Sequence, residues 1–130
     1  MAYQKEKIEQ FEHALCTLEE VLMLEKNDVV RDATIQRFEY TVEVFWKALK
    51  IHLRETAGVD AATPKAALRE AGAADVLTAD EVALGLAMID DRNETSHLYA
   101  VALAEKLFEK IPTYSKLLRS TCDLLKSRVF

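Results

Sequence analysis

Residues 35–53 read IQRFEYTVEVFWKALKIHL, and their apolar positions decide the fold class. Ile35, Phe38, Val42, Phe45, Leu49 and His52 recur at intervals of three and four residues, the repeat of one helix face and not of a strand. Trp46 and Leu53 widen the stripe, as expected when a helix faces a globular core rather than a single partner. Asn27-Asp28 offers a cap ahead of it, and Gly58 stands where a C′ residue belongs. The spacing therefore predicts a helix from Val29 to Ala57, about 43 Å long at ~1.5 Å per residue.

The same reading extends in both directions. Ile8, Phe11, Leu15, Leu18 and Leu22 form a heptad-like stripe, which predicts a helix over about residues 2–25 and an antiparallel hairpin with the next one. Thr63-Pro64 places an N-cap before an N1 proline, and Gly72 is expected to close this short helix. Thr78-Ala79-Asp80-Glu81 is a capping box, opening a helix that turns Val82, Leu86 and Ile89 inward and ends near Asn93. In the last segment Ala104, Leu107 or Phe108, Ile111, Tyr114, Leu118, Cys122 and Leu125 keep one phase across Pro112, so that helix kinks there instead of stopping. Three Gly and two Pro in 130 residues are too few breakers for a β fold. The expected fold is all-α: an up-and-down four-helix bundle with one extra short helix and a Pro-kinked last helix, a single domain over residues 1–130.

Composition narrows the function classes. Hydrophobic residues at 50% and charged residues at 30% exclude a disordered chain. The longest run without Asp, Glu, Lys or Arg spans ten residues, 95–104, against the ~20 that a bilayer demands, so no membrane is expected among the partners. No apolar leader follows residues 1–7, and Cys16 and Cys122 lack any C-x-x-C companion, which points to free thiols in a cytoplasmic protein. The net charge of −5 is split as −3 over residues 1–58, −5 over 59–98 and +3 over 99–130. An acidic total argues against indiscriminate nucleic-acid binding. Lys106, Lys110, Lys116, Arg119, Lys126 and Arg128 form either a local basic face or a solvated face of mixed charge.

The chemistry concentrates at the end of the third long helix. Its inward stripe predicts an aliphatic at 92 or 93, where Arg92 and Asn93 stand instead, and the polar run Asp90–Tyr99 follows with His97 five residues after Arg92. Arg92 pairs with Asp90, Asp91 or a neighbouring helix, or it offers its fork of donors to a phosphate. His97 fills a helix corner, or it moves protons near neutrality. Arg with His equips a site for metal-free attack of a ribose 2′-hydroxyl on its own phosphodiester. One His supplies either the base or the acid, and a two-fold dimer supplies the other. Elsewhere, Trp46 and Phe45 read as core or dimer-seam residues or as a base-stacking platform. Lys47, Lys50 and Arg54 share a helix face that meets solvent, RNA or an acidic partner. His13 and His52 lack metal-ligand spacing, so no metal is expected. No Gly-rich phosphate loop, nucleophile elbow or nucleotidyltransferase Gly-Ser and paired-Asp motif is present.

Asp91-Arg92-Asn93 with Thr95-Ser96-His97 and Tyr99 resembles the Arg, four residues, His signature of HEPN domains, and the extension to Tyr99 resembles their HepT branch. Arg37-Phe38-Glu39-Tyr40 with Trp46-Lys47-Ala48-Leu49-Lys50 is similar to the second-helix signature of the nucleotidyltransferase substrate-binding family, and Thr63-Pro64-Lys65 with Leu68-Arg69-Glu70-Ala71 to its short third helix. The resemblance covers roughly residues 30–110. It implies a helical bundle, usually a homodimer, working beside a small MNT-type nucleotidyltransferase in a two-gene toxin–antitoxin-like system. It further implies a metal-independent RNase toxin with Arg92 and His97 catalytic, Asn93 supporting, and Tyr99 the acceptor of AMP from the partner. The alternative is a non-catalytic nucleotide-binding subunit of a split nucleotidyltransferase. Neither reading calls for a cofactor. One departure stands out: family members often carry an aromatic about seven residues before the Arg, where this chain has Gly85. That glycine admits a neighbouring helix or leaves a groove.

Overall fold

The computed structural model describes residues 2–95 and 99–130. Among them every regular element is a helix: α1 (Ala2–Leu22), α2 (Asp28–Ala57), α3 (Pro64–Ala73), α4 (Ala79–Asn93) and α5 (Val101–Val129). Three of the helices, α2, α3 and α4, start where the sequence caps them. Asn27 accepts a hydrogen bond from the Val30 amide at 2.8 Å, Thr63 accepts one from Ala66 at 3.1 Å, and Thr78 and Glu81 close the capping box in both directions. Gly58 ends α2 at φ 65°, the left-handed conformation that a side chain disfavours.

α2 is the central element, packing against each of the other four helices. Ile8, Phe11, Leu15 and Leu18 of α1 meet Phe38, Val42, Phe45 and Leu49 of α2, with α5 closing the third side through Ile111, Leu118, Cys122 and Leu125. Phe11 and Phe45 pack with ring centroids 5.5 Å apart, and Phe38 stacks on Tyr114 at 5.8 Å. No buried side-chain nitrogen or oxygen among the described residues lacks a hydrogen-bond partner. His52 shows how: it is buried within the stripe, and its Nδ1 lies 2.8 Å from Gln4 Oε1.

Two expectations are corrected and one open alternative is settled. Gly72 does not close α3, which continues to Ala73 with the reversal at Asp75, φ 59°. A Cβ on Gly72 would stand 2.8 Å from Val82 Cγ2, and one on Gly85 would stand 2.7 Å from Leu68 Cδ2. α3 and α4 therefore interlock reciprocally, each pressing an aliphatic into the other's glycine, and the Gly85 position admits a helix rather than leaving a groove. For the same reason the buried face of α4 is Gly85, Met88 and Ile89, whereas Val82 and Leu86 are only half-buried at its margin.

α5 runs unbroken through Pro112, which is exposed. The amide that proline lacks would have bonded the Phe108 carbonyl, so the gap in the ladder faces water. Behind it, Arg119 fastens α5 to α1 by binding Glu19 at 2.6 and 2.9 Å and Glu12 at 3.0 Å, while Lys126 reaches Glu12 at 2.7 Å. Ahead of it, Glu105 accepts from Lys26 and from Arg31 (3.1 Å), tying the start of α5 to the α1–α2 turn. With Lys110 bound to Asp91, these contacts pair three of the six basic residues of the C-terminal third, Lys110, Arg119 and Lys126, with carboxylates.

Candidate functional site at the end of α4

Arg92 lies in the last turn of α4, three and four residues beyond Ile89 and Met88 and therefore on their face. It is half-buried. Neither acidic neighbour holds it: Asp90 pairs with Lys65 at 2.6 Å, and Asp91 accepts a short hydrogen bond from the Tyr114 hydroxyl and one from Lys110 at 3.4 Å. Burial, together with the Asp91 carboxylate, keeps the Tyr114 phenol protonated well above its ordinary range. Tyr114 thus acts as a donor that fixes the last turn of α4 against α5. Thr95 returns its hydroxyl to the Arg92 carbonyl at 2.9 Å and satisfies one open acceptor of the helix end.

The charge of Arg92 is felt on α2. Desolvation pushes the Glu43 carboxyl up, but hydrogen bonds from Lys47 and Trp46 and the charges of Lys47 and Arg92 outweigh it, and Glu43 titrates below its ordinary range. Two shallow grooves flank the motif. One, of about 160 Å³, runs between α4 and α5 and is lined by Asp91, Glu94, Leu103, Lys106, Leu107 and Lys110. The other, of about 220 Å³, joins Thr95 to Asp32, Ile35, Gln36 and Glu39 of α2.

Asn93 is exposed at the close of α4. Tyr99 is 86% exposed and is no core residue. It precedes α5, which starts at Val101. The α5 N-cap position is Ala100, with no side chain to hold the first amides. His97 lies outside the described residues. Sequence reasoning missed the Asp91–Tyr114 latch and the part played by Glu43. Glu43 was discoverable, because it stands three and four residues before Trp46 and Lys47 on one helix face.

Among the described residues no cluster of His, Cys, Asp and Glu is placed to hold a metal ion, and no helix is long and apolar enough to cross a membrane. Cys16 is exposed, and burial pushes the Cys122 thiol up to about 12 with help from the Glu12 carboxylate, so Cys122 is an inert core thiol.

A helical bundle in which α2 carries the core and α4 ends in a half-buried Arg matches, over residues 6–127, the family of proteins like the nucleotidyltransferase substrate-binding protein, and this chain belongs to that family. The family resemblance read from the motifs is thereby borne out. Among solved structures, one from Thermus thermophilus is 45% identical, with a TM-score of 0.85 over 88% of this chain and 98% of that one. A chain from a mutant of the toxin–antitoxin MntA-HpeT is 12% identical, with a TM-score of 0.79 over 98% of this chain and 99% of that one, a likeness of fold. No curated protein matches the sequence.

Proposed function

We propose that this protein is a metal-independent RNase toxin of the HepT type, acting as a homodimer beside a small MNT-type nucleotidyltransferase that silences it. The observation that carries the proposal is Arg92: a half-buried guanidinium on the inward face of α4, with both acidic neighbours engaged elsewhere. The family's link to nucleotidyltransferases and the fold shared with a toxin–antitoxin chain support the same reading.

In the proposed reaction one His97 accepts the proton of a ribose 2′-hydroxyl as its oxygen attacks the adjacent phosphorus. The O2′–P bond forms and the P–O5′ bond breaks. His97 of the second protomer protonates the departing 5′-oxygen, and the products are a 2′,3′-cyclic phosphate and a 5′-hydroxyl. Arg92 binds the phosphorane oxygens with its planar fork, and Asn93 supports the strand from the exposed end of α4. Silencing proceeds by attack of the Tyr99 phenolic oxygen on the α-phosphorus of ATP with loss of pyrophosphate. The attached AMP places an anion where the RNA phosphate would lie.

The test is cleavage of single-stranded RNA in EDTA with end-group analysis. Cyclic phosphate ends are expected, with a loss of about 10²–10⁴-fold in His97→Ala. Arg92→Lys should be similarly impaired, because an ammonium cannot reproduce the fork. Cleavage that needs magnesium or survives His97→Ala refutes the mechanism, and no cleavage at all leaves the nucleotide-binding subunit as the reading. Sedimentation at micromolar concentration checks the dimer, and a monomer refutes the two-His site.

A further inference from the structure

A third groove, separate from the two at the motif, lies between the first turns of α1 and the middle of α2. It measures about 280 Å³ and is lined by Tyr3, Lys7, Trp46, Lys47, Lys50 and Ile51. Its composition is unusual for a protein with a net charge of −5: two aromatic rings and three ammonium groups around one concavity. Tyr3 is 54% exposed, and Trp46 is half-buried with its indole N–H donating to Glu43 at 3.3 Å. Lys7 sits 5.4 Å from the Tyr3 ring centroid.

The ion pairs of Lys47 and Lys50 are exposed ones. Lys50 binds Asp60 at 3.2 Å, but Asp60 is 78% exposed, and such a pair exchanges readily for another anion. Its second bond, to the carbonyl of the buried Ala61 at 2.8 Å, anchors the Lys50 ammonium beside the groove. Lys47 binds Glu43 at 3.1 Å with both partners near half exposure. Aromatic faces with adjacent cations are the chemistry of nucleotide recognition: every base has a π-face to stack, and each phosphate answers one or two lysines. At about 280 Å³ the groove lies just below the ~300 Å³ lower end of small-ligand pockets.

The groove is separated from the motif by the acidic stretch of α2 that holds Glu39 and Glu43. Glu43 takes hydrogen bonds from Trp46 and Lys47 and also feels Arg92. Glu39, one turn earlier on α2, lines the groove that contains Thr95. From Glu39 to Lys47 is about 12 Å along α2. The strip has polarity, with Asp32, Glu39 and Glu43 toward the motif and Lys47, Lys50 and Arg54 away from it.

We propose that this groove holds one nucleotide of a single-stranded RNA, its base against Trp46 and Tyr3 and its phosphates on Lys47 and Lys50, so that the strand crosses α2 toward Arg92. The identity of the ligand as RNA rests on the ribonuclease reading above.

Trp46 is the chain's one tryptophan and reports on its own groove. The probe is a 12-nucleotide single-stranded RNA with 2′-O-methyl sugars, which removes the attacking hydroxyl. Its binding is expected to quench Trp46 fluorescence and to weaken with salt along a shallow slope, as befits about two phosphates. The double variant Lys47→Glu/Lys50→Glu should bind the fluorescein-labelled probe at least 10-fold more weakly. Trp46→Leu should lose about 10-fold, the equivalent of one lost stacking contact. Both variants are compared with the wild type by circular dichroism and sedimentation to secure the fold. No quenching, unchanged binding by Lys47→Glu/Lys50→Glu, or quenching by ATP alone overturns the proposal. So does dissociation of a dimer by those two substitutions, which would make the face a protein interface. If the methylated probe binds as described and natural RNA is not cut, the groove stands and the ribonuclease reading falls. If natural RNA is cut and Lys47→Glu/Lys50→Glu leaves KM unchanged, the ribonuclease reading stands and the groove falls.

Discussion

Gly85→Ala should destabilise this protein, although the same change in an ordinary helix stabilises by about 1 kcal/mol. The reason is Leu68. A new Cβ at residue 85 stands 2.7 Å from Leu68 Cδ2 and 3.2 Å from Cδ1, and Leu68 is fully buried, so its methyls have no free volume to enter. Overpacking of a closed core costs about 1–3 kcal/mol. Set against the propensity gain, the net loss is expected at about 1 kcal/mol. The assay is urea unfolding followed by helical circular dichroism, at fixed protein concentration so that any subunit equilibrium is constant. A double-mutant cycle isolates the cause. Leu68→Ala alone costs about 2–5 kcal/mol. In the Gly85→Ala background it should cost about 1–2 kcal/mol less, because the new methyl occupies part of the cavity. Stabilisation by Gly85→Ala, with strict additivity in the cycle, would refute the reciprocal packing of α3 and α4.

Three further outcomes are expected. Arg119→Ala removes pairs to Glu12, Glu19 and Asp123 and should cost about 1–2 kcal/mol, shrinking in high salt, as read from denaturant midpoints at two ionic strengths. His52 is buried neutral, its pKa lowered from 6.5 by burial and by the Arg128 charge. Below that pH the unfolded chain takes up a proton that the fold excludes, so stability falls with pH at up to ~1.4 kcal/mol per unit. His52→Gln should abolish that slope above pH 5 while leaving the steeper loss at lower pH, where Glu12 and Glu43, both held below their ordinary value, are protonated. Tyr99→Phe should take up no AMP from an MNT-type partner and ATP by intact mass while leaving RNA cleavage unchanged. An adduct of one AMP on Tyr99→Phe would place the modification elsewhere.

Wherever local chemistry decides structure, it was readable in the residues. The caps at Asn27, Thr63 and Thr78, the left-handed Gly58 and the stripe from Ile35 to His52 all stand as expected, because each depends on neighbours within one or two helical turns. The errors arose where a distant helix decides. Gly72 looks like a stop signal until Val82 is seen to require its missing side chain. Val82 and Leu86 share a periodicity with the core but lie at its edge, because the reciprocal fit with α3 rotates α4 toward Met88. At the site, Arg92 was legible as a cation on an inward stripe. That Asp90 and Asp91 turn to Lys65 and Tyr114 depends on elements far away in sequence and had no local signal.

Pro112 interrupts the hydrogen-bond ladder of α5 at one rung, between a weakly anchored front and a firmly anchored back. The front begins without a side-chain cap at Ala100 and holds to its neighbours through partly exposed pairs at Glu105 and Lys110 and through the buried Ala104 and Leu107. The back is riveted to α1 by Arg119 and Lys126. An opening that starts at Ala100 has about three turns to unwind before it meets the missing rung. Fraying that starts at Ala100 is therefore expected to run through these turns before it reaches the anchored back. In native-state hydrogen exchange the amides of residues 101–111 should form one early-exchanging group and those of 113–129 a late one. The segment bearing Tyr99 is joined to the early group. Tyr99 itself is already 86% exposed in the folded protein, so reaching it requires no such opening.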